Sequence, residues 1–198
     1  MRKSACEPCI PTRGTTVPTG NDWLHEIKHD GYRLIVQRDE QCVRLFTRNG
    51  NDWIGRFPLI TQAALRNRNS SFVIDGEAVV LGVDGISDFN GLHSRKYDYE
   101  VQFYAFDMLV DSGEDLRMLP LHLRKNNLTR LLARRINGIF LADFEQGEIG
   151  PDLFRHACLM GLEGLVSKPA LSCRPLSHWV KVKNRSHPAM SRVMDTFR

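Results

Sequence analysis

Closely spaced strand signals, separated by turn residues, fill the first part of the chain and limit its fold more than any other feature. Three apolar or alternating runs follow one another at Trp23–Lys28, Tyr32–Gln37 and Cys42–Thr47. The pairs Asp30-Gly31 and Asn49-Gly50 beside these runs are typical of tight turns between antiparallel strands. The pattern predicts a meander of antiparallel strands.

The rest of the chain carries both helix and strand patterns. Further strands are predicted at Ser71–Leu81, Val101–Leu109, Glu163–Lys168 and His178–Lys183, and helices at Phe57–Leu65, Leu119–Ile136 and Pro151–Met160. The helix over 119–136 is rich in Arg and Lys, including Arg124 and Lys125, so we expect a solvated face there, with a DNA-binding face as the alternative. The sum is an α+β fold of mostly antiparallel sheets flanked by helices.

Length and composition are those of one globular domain. The chain has 198 residues, and its first twenty are rich in Pro, Thr and Gly. We therefore predict an irregular lead-in over residues 1–20 and the domain itself over residues 21–198. No apolar run approaches the roughly 18 residues that span a bilayer, and the basic N-terminus is not followed by the apolar stretch of a secretory signal. We expect a cytoplasmic protein with no membrane partner.

The charge and the cysteines narrow the function only a little. A net charge of +4 is compatible with a polyanionic partner, but the Lys and Arg residues are spread over the whole chain. The odd number of cysteines, 5, favours reduced thiols. Cys6 and Cys9 form a C-x-x-C pair that resembles half of a zinc site, but a structural zinc site needs four ligands. We expect a local turn with free thiols instead.

The segment around Lys28 carries the residue types that a nucleophilic amine needs. Keeping a lysine neutral near pH 7.4 costs about 4 kcal/mol, and nearby cations or a phosphate-bound metal would lower that cost. Asp30 could hold such a metal, Gly31 allows a close backbone approach, and Arg33 could grip an anion or a ribose. A surface hairpin with an Asp-Gly turn is the alternative for this segment taken alone.

Six short motifs occur in order along nearly the whole chain, and each of them alone is weak. They are Lys28-His29-Asp30-Gly31-Tyr32-Arg33, Thr47-Arg48-Asn49-Gly50, Asp75-Gly76-Glu77, Phe103-Tyr104-Ala105-Phe106-Asp107, Glu163-Gly164-Leu165-Val166-Ser167-Lys168 and Trp179-Val180-Lys181-Val182-Lys183. Together they resemble the covalent nucleotidyltransferase superfamily of ATP-dependent DNA ligases, mRNA capping enzymes and RNA ligases. The residues of the first and last motifs are most similar to those of the bacterial end-joining ligases and their stand-alone relatives.

The resemblance implies a role for each motif residue. Lys28 would attack the α-phosphate of ATP and hold AMP as a phosphoramidate. Glu26 would read the adenine amino group, and Phe106 would stack on adenine with Leu165 or Val166 beneath it. The remaining roles are ribose and phosphate binding by Arg33, Arg48 and Glu77, neutralisation of the triphosphate by Lys168, Lys181 and Lys183, and binding of Mg²⁺ or Mn²⁺ by Asp30 and Glu163.

The function that the resemblance implies is that of an ATP-dependent DNA ligase domain in DNA repair, recombination and replication. The partner would be DNA with a 5′-phosphate at a nick or end. Full ligases continue into an OB-fold, whereas this sequence ends fifteen residues after Lys183, so we expect no OB-fold here and a separate OB-fold or end-binding protein as partner. RNA joining, capping-type nucleotidyl transfer and a non-joining remnant that only binds nucleotide or DNA are the alternatives.

Overall fold

The computed structural model describes residues 8–134, 136–174 and 178–190, and this part of the chain forms two β-sheets with four α-helices. The strands are β1 (Thr12–Arg13), β2 (Trp23–Ile27), β3 (Tyr32–Asp39), β4 (Cys42–Thr47), β5 (Ser71–Val79), β6 (Gln102–Asp111), β7 (Glu114–Asp115), β8 (Ile139–Leu141), β9 (Phe144–Gln146), β10 (Gly164–Pro169) and β11 (Val180–Lys183). The helices are α1 (Pro58–Arg66), α2 (Phe89–His93), α3 (Leu121–Leu131) and α4 (Gly150–Leu159). The expected α+β class is confirmed.

Each sheet combines strands from distant parts of the chain. Sheet 1 has the order β1-β11-β10-β2-β9, and sheet 2 has the order β4-β3-β5-β6-β7, with β8 beside β6. The pairs β1–β11 and β6–β8 are parallel, and the others are antiparallel. Sheet 1 therefore brings the first strand run into register with the last two strands.

Strands β2 and β3 lie in different sheets, so the predicted meander is wrong at its first turn. β2 pairs with β9 and β10, whereas β3 pairs with β4 and β5. The hairpin of β3 and β4 is confirmed. A turn signal shows where a chain reverses, but alternation alone does not tell which strand becomes the neighbour. Residues 28–31 consequently cross from one sheet to the other.

One face of sheet 2 carries the main hydrophobic core. Leu34, Ile74 and Phe103 from three neighbouring strands are fully buried and cluster with Ile60 of α1 and Leu128 of α3. Side chains alternate between the two faces of a strand, so the odd-numbered neighbours on β3 and β5 face away from these helices. That opposite face looks toward sheet 1 and contributes to the candidate site.

Helix α3 buries two of the basic residues for which we expected a solvated face. Arg124 is 0% and Lys125 is 1% exposed, so that expectation is wrong for these two residues, although Arg130 is exposed. Both are buried because they meet carboxylates, Asp107 for Arg124 and Glu26 for Lys125. A buried charge requires a partner of opposite sign, and here the partners are distant in sequence.

Several short elements have no clear signature in the sequence. Strands β8 and β9 have three residues each, and helix α2 has five. Within the lead-in, β1 pairs with β11, with Thr12 opposite Val180, so residues 12–13 extend sheet 1. Cys6 of the C-x-x-C pair lies outside the described residues. No described helix is long and apolar enough to cross a membrane.

Candidate active site

Lys28 stands at the junction of the two sheets, directly after β2. Its backbone N–H donates to the carbonyl oxygen of Gly164 at 2.9 Å, which ties it to the start of β10. Gly164 has φ +143, and a Cβ there would lie 2.1 Å from the carbonyl oxygen of Val182. A Cβ at Gly31 would lie 2.3 Å from the carbonyl oxygen of Ala78. Both motif glycines are therefore needed for the strand ends to pack this closely.

Glu163 connects Lys28 with the last lysine motif. The Nζ of Lys28 donates to Glu163 Oε2 at 2.6 Å, and the Nζ of Lys183 lies 2.9 Å from Glu163 Oε1. Burial alone would raise the pKa of Glu163, but the charge of Lys28 and the hydrogen bonds from both lysines outweigh it and hold the pKa below its ordinary value. The structure thus brings together three predicted site residues from three motifs.

Lys181 and Arg48 add positive charge to the same place. Burial is the main cause of a lowered pKa at Lys181, and the charges of Lys28, Lys183 and Arg48 lower it further. Arg48 is exposed on the turn after β4. Only Glu163 raises the pKa of Lys181 among its main influences. The arrangement favours an anionic ligand such as a phosphate chain, because added negative charge would relieve the repulsion.

Glu77 lies at the end of sheet 2 nearest to these lysines. Burial raises its pKa to about 7, whereas Lys28 and Arg33 lower it and Glu163 raises it. Its carboxylate makes none of the hydrogen bonds or ion pairs found among the described residues. Glu77 is half-buried, so its oxygens have capacity for a ligand hydroxyl.

The two carboxylates proposed as metal ligands are both buried. Asp30 is 8% and Glu163 is 4% exposed. No group of three or more His, Cys, Asp or Glu side chains in the described part of the chain converges to hold a metal ion by itself.

The register of sheet 1 decides which motif side chains share a face. Glu26 and Lys181 both stand opposite Val166 on β10, and residues paired across antiparallel strands point to the same side. Val166 packs against the same apolar cluster as Phe106, whereas Leu165 is 0% exposed and points to the other side. Of the two residues considered for the base of the adenine pocket, Val166 therefore lies on the side of the site and Leu165 does not.

Glu26 is held between two buried ammonium groups. Its Oε2 pairs with the Nζ of Lys168, and its Oε1 lies 2.6 Å from the Nζ of Lys125. Burial lowers the pKa of Lys168 to about 8 against the opposing effect of Glu26, and Lys125 lowers it as well. Lys168 thus stands beside Glu26 rather than in the cluster around Glu163. Lys125 belongs to none of the six motifs, and only the three-dimensional contact reveals it.

Phe106 forms an aromatic surface next to this charge cluster. Its ring meets the ring of Trp179 edge-on, with centroids 6.0 Å apart. The Nζ of Lys168 lies 4.0 Å from the Phe106 centroid, and the guanidinium of Arg33 lies 5.1 Å from it. Val166 packs into the same apolar cluster. The predicted stacking residue is thus next to the Glu26 side chain that was predicted to read the base.

The guanidinium of Arg33 forms hydrogen bonds with other residues of the protein. Its Nε and Nη2 donate to Asp75 at 2.9 and 2.7 Å, and its Nη1 donates to the carbonyl oxygen of Cys9. Arg174 also donates to Asp75, and its Nε donates to Asp107 at 3.1 Å. Arg174 lies in a stretch that had no regular pattern, so the sequence offered no signal for it.

Two surface grooves of about 430 and 350 Å³ lie away from Lys28. Arg134 and Ile136 line both, with Arg66 in the first and Arg130 in the second. Arg66 and Arg130 stand in the last turns of α1 and α3, where a cation balances the helix dipole. Charge and hydrogen-bonding groups, rather than groove volume, therefore locate the candidate site.

Comparison with known proteins supports the same assignment. Residues 11–183 match the family model described as ATP dependent DNA ligase domain. The chain therefore belongs to the ATP-dependent DNA ligase domain family, and the resemblance drawn from the six motifs is confirmed.

Several relatives are bacterial end-joining proteins. The multifunctional non-homologous end joining protein LigD of Pseudomonas aeruginosa is 34% identical over 172 residues, which cover 84% of this chain and 20% of that protein. The DNA ligase-like protein LigB of the SPbeta prophage in Bacillus subtilis is 29% identical over 171 residues, with 82% of this chain and 62% of that protein covered. The chain thus spans only part of the length of these relatives.

Solved structures show the same fold. The ligase domain of LigD from Mycobacterium tuberculosis has a TM-score of 0.77 and 30% identity over 89% of this chain and 59% of that chain. A mycobacterial DNA ligase D in complex with ATP matches equally well, with a TM-score of 0.77. An archaeal ATP-dependent RNA ligase shares the fold at a TM-score of 0.52 and 20% identity. The fold alone therefore does not separate DNA joining from RNA joining.

Proposed function

We propose that this chain carries out the adenylate-transfer chemistry of an ATP-dependent DNA ligase, with Lys28 as the nucleophile and 5′-phosphorylated DNA as the acceptor. The observation that supports it best is the cluster at the sheet junction, where Lys28 lies 2.6 Å from Glu163 and Lys183 lies 2.9 Å from the same carboxylate. The ATP-binding relatives and the family support the choice of nucleotide.

The chemistry consists of three displacements at phosphorus. The lone pair of Lys28 Nζ attacks the α-phosphorus of ATP, a P–N bond forms, and pyrophosphate leaves. An oxygen of the DNA 5′-phosphate then attacks the same phosphorus and releases the Lys28 amine, which gives an AMP-capped DNA end. A 3′-hydroxyl finally attacks the 5′-phosphorus, a phosphodiester forms, and AMP leaves. The residues described here bear mainly on the first displacement.

Lys28 must lose a proton before it can attack. Glu163 Oε2 accepts a hydrogen bond from Lys28 Nζ and can orient the amine during the approach of ATP. Lys181 and Lys183 would neutralise the phosphates, so that charge on the leaving pyrophosphate is stabilised. Asp30 and Glu163 are the residues that would hold Mg²⁺ or Mn²⁺, and a bound ion would supply further charge neutralisation at the phosphates.

Nucleotide recognition would take place on the neighbouring surface. Phe106 would stack on the base with Val166 on the opposite side, while Glu26 would accept a hydrogen bond from the adenine amino group. Glu77 and Arg48 would contact the ribose and phosphates. For Arg33 we now propose a positioning role through Asp75, because its guanidinium already donates to that carboxylate.

Covalent labelling tests the proposal directly. The chain is incubated with α-labelled ATP or GTP and Mg²⁺ and then separated under denaturing conditions. We expect label from ATP, stable to denaturation, and none on Lys28→Ala or Lys28→Arg protein, because arginine keeps the charge but does not provide a neutral amine. Label that persists on Lys28→Ala protein would rule out Lys28 as the nucleophile. Preferential labelling by GTP would favour capping-type transfer, and no labelling would favour a binding remnant.

The acceptor requires a second experiment. Adenylated protein is offered matched 5′-phosphorylated nicks in DNA and RNA duplexes, and transfer of label to each strand is measured. We expect transfer to DNA, and faster transfer to RNA would reverse the assignment. The cytoplasmic location, the identity of the metal and a separate OB-fold or end-binding partner remain predictions from the sequence.

A further inference from the structure

A buried lysine outside every motif contacts the carboxylate that is proposed to read the base. Lys125 lies on α3 and is 1% exposed, and its Nζ is 2.6 Å from Glu26 Oε1. The angle at these atoms is not that of a hydrogen bond, and neither atom has another hydrogen-bond partner in the described structure. At this distance and burial the attraction between the opposite charges dominates, so we treat the contact as an ion pair.

Stability does not explain why an ion pair of Lys125 and Glu26, instead of two apolar side chains, occupies this position. A buried ion pair is often replaced by apolar side chains of similar volume without loss of stability, because desolvation offsets the attraction. The Nζ of Lys125 also lies 4.4 Å from the centre of the Phe144 ring. Apolar side chains at positions 125 and 26 together would fill the same space without the desolvation cost. The charge at this position therefore points to a role that involves Glu26.

We propose that Lys125 is a positioning residue for base recognition, which holds the Glu26 carboxylate in place so that it accepts a hydrogen bond from an adenine amino group. This inference rests on the proposed function, in which Glu26 faces the base. Adenine carries a hydrogen-bond donor at C6, whereas guanine carries a carbonyl oxygen there. A carboxylate held at this position accepts a hydrogen bond from the first and repels the second.

The two lysines that contact Glu26, Lys168 and Lys125, occupy different positions. Lys168 holds Oε2 and also lies 4.0 Å from the Phe106 ring centre, next to the proposed stacking surface. Lys125 approaches Oε1 from α3, while Glu26 and Lys168 both belong to sheet 1. Lys125 thus contacts the carboxylate from outside the sheet. Without Lys125, Glu26 would keep Lys168 on Oε2, and Oε1 would have no ion-pair partner among the described residues.

The test measures initial rates of covalent labelling over a range of ATP and GTP concentrations. We compare the wild-type chain with Lys125→Met, Lys125→Gln and Lys125→Arg, and use Arg130→Met on the exposed side of the same helix as the control. For Lys125→Met we expect the KM for ATP to rise about tenfold, the size of effect typical of a charged hydrogen bond, with kcat little changed. The preference for ATP over GTP should fall, Lys125→Arg should recover part of it, and Arg130→Met should match wild type.

A double-mutant cycle separates this role from simple packing. In a Glu26→Gln background there is no carboxylate to hold, so Lys125→Met should change the KM for ATP no further. Independent effects that multiply would overturn the proposal, as would an unchanged KM and base preference in Lys125→Met. If Lys125→Met does not fold, Lys125→Gln and Lys125→Arg decide by the same readouts. Failure of the wild-type chain to label with ATP would instead contradict the proposed function.

Discussion

Arg124 offers the sharpest test of the structure, because the sequence alone places it on a solvated helix face. Its Nε and Nη2 donate to the two oxygens of Asp107 at 2.8 and 3.1 Å, and both side chains are 0% exposed. Its Nη1 also donates to the carbonyl oxygens of Leu119 and Ser172. The perturbation is Arg124→Met, which keeps the length of the side chain and removes the charge.

The expected loss of stability follows from the groups that remain behind. Within the described part of the chain, Asp107 would keep only its hydrogen bond with Arg174, at 3.1 Å, and the two carbonyl oxygens would lose a charged donor. Removing one partner of a buried ion pair typically costs about 3–5 kcal/mol. That is a large part of the roughly 5–15 kcal/mol by which a domain is stable. For a chain of this size it corresponds to a lower Tm by on the order of 10 °C.

The assay is urea unfolding followed by circular dichroism, with Arg130→Met as the matched control. Arg130 lies on the same helix but is exposed, and its guanidinium has a long hydrogen bond of 3.3 Å to Asn127. We expect this control to change the unfolding free energy by no more than about 0.5 kcal/mol. If the two variants lose the same small amount, Arg124 is not buried in an ion pair and the arrangement described here is incorrect.

Three further predictions concern the site. Phe106→Ala should raise the KM for ATP in the labelling assay by about fivefold or more, since stacking contributes about 1 kcal/mol beyond area burial; an unchanged KM would place Phe106 in the core. Because burial raises the pKa of Glu77 to about 7, its ionised fraction grows as pH rises through that value. The variant Lys28→Arg cannot form the covalent adenylate, so its ATP binding can be measured at equilibrium. Its affinity for ATP should therefore increase between about pH 6 and pH 8, and Glu77→Gln should flatten that dependence. Chelation by EDTA should abolish labelling and added Mg²⁺ should restore it, whereas labelling that continues in EDTA would exclude a required metal.

The sequence predicts the strands and the chemical groups of the site well, because both depend on local patterns. Alternation located β3 and β4 within two residues of their ends, and the last motif placed Lys181 and Lys183 on one face of a strand. The junction itself, where Lys28 meets Glu163 across 135 positions of the chain, follows from the order of the motifs only through the family resemblance. Spacing within a motif carries no information about which strands become neighbours.

Most of the remaining differences arise because burial of a charge depends on a partner that is distant in the sequence. Arg124 and Lys125 were predicted to be solvated because no acidic residue lies near them on the helix. In the fold, Arg124 pairs with Asp107 and Lys125 pairs with Glu26. Arg174 was missed for the same reason, since its partners lie in two other motifs. Leu165 and Val166 could not be separated before the register of β10 was known.

The cationic part of the site works against stability when no nucleotide is bound. Burial and the charges of Lys28, Lys183 and Arg48 lower the pKa of Lys181, so the charged form of this lysine is disfavoured there. A triphosphate would supply the opposing charge and orient the α-phosphate at the same time, which couples binding to catalysis. We therefore expect Lys181→Met to raise the Tm of the protein without ligand while it weakens ATP binding and reduces the stabilisation that ATP gives. Thermal unfolding with and without ATP measures both effects, and a lower Tm without ligand together with undiminished stabilisation by ATP would show that Lys181 is structural.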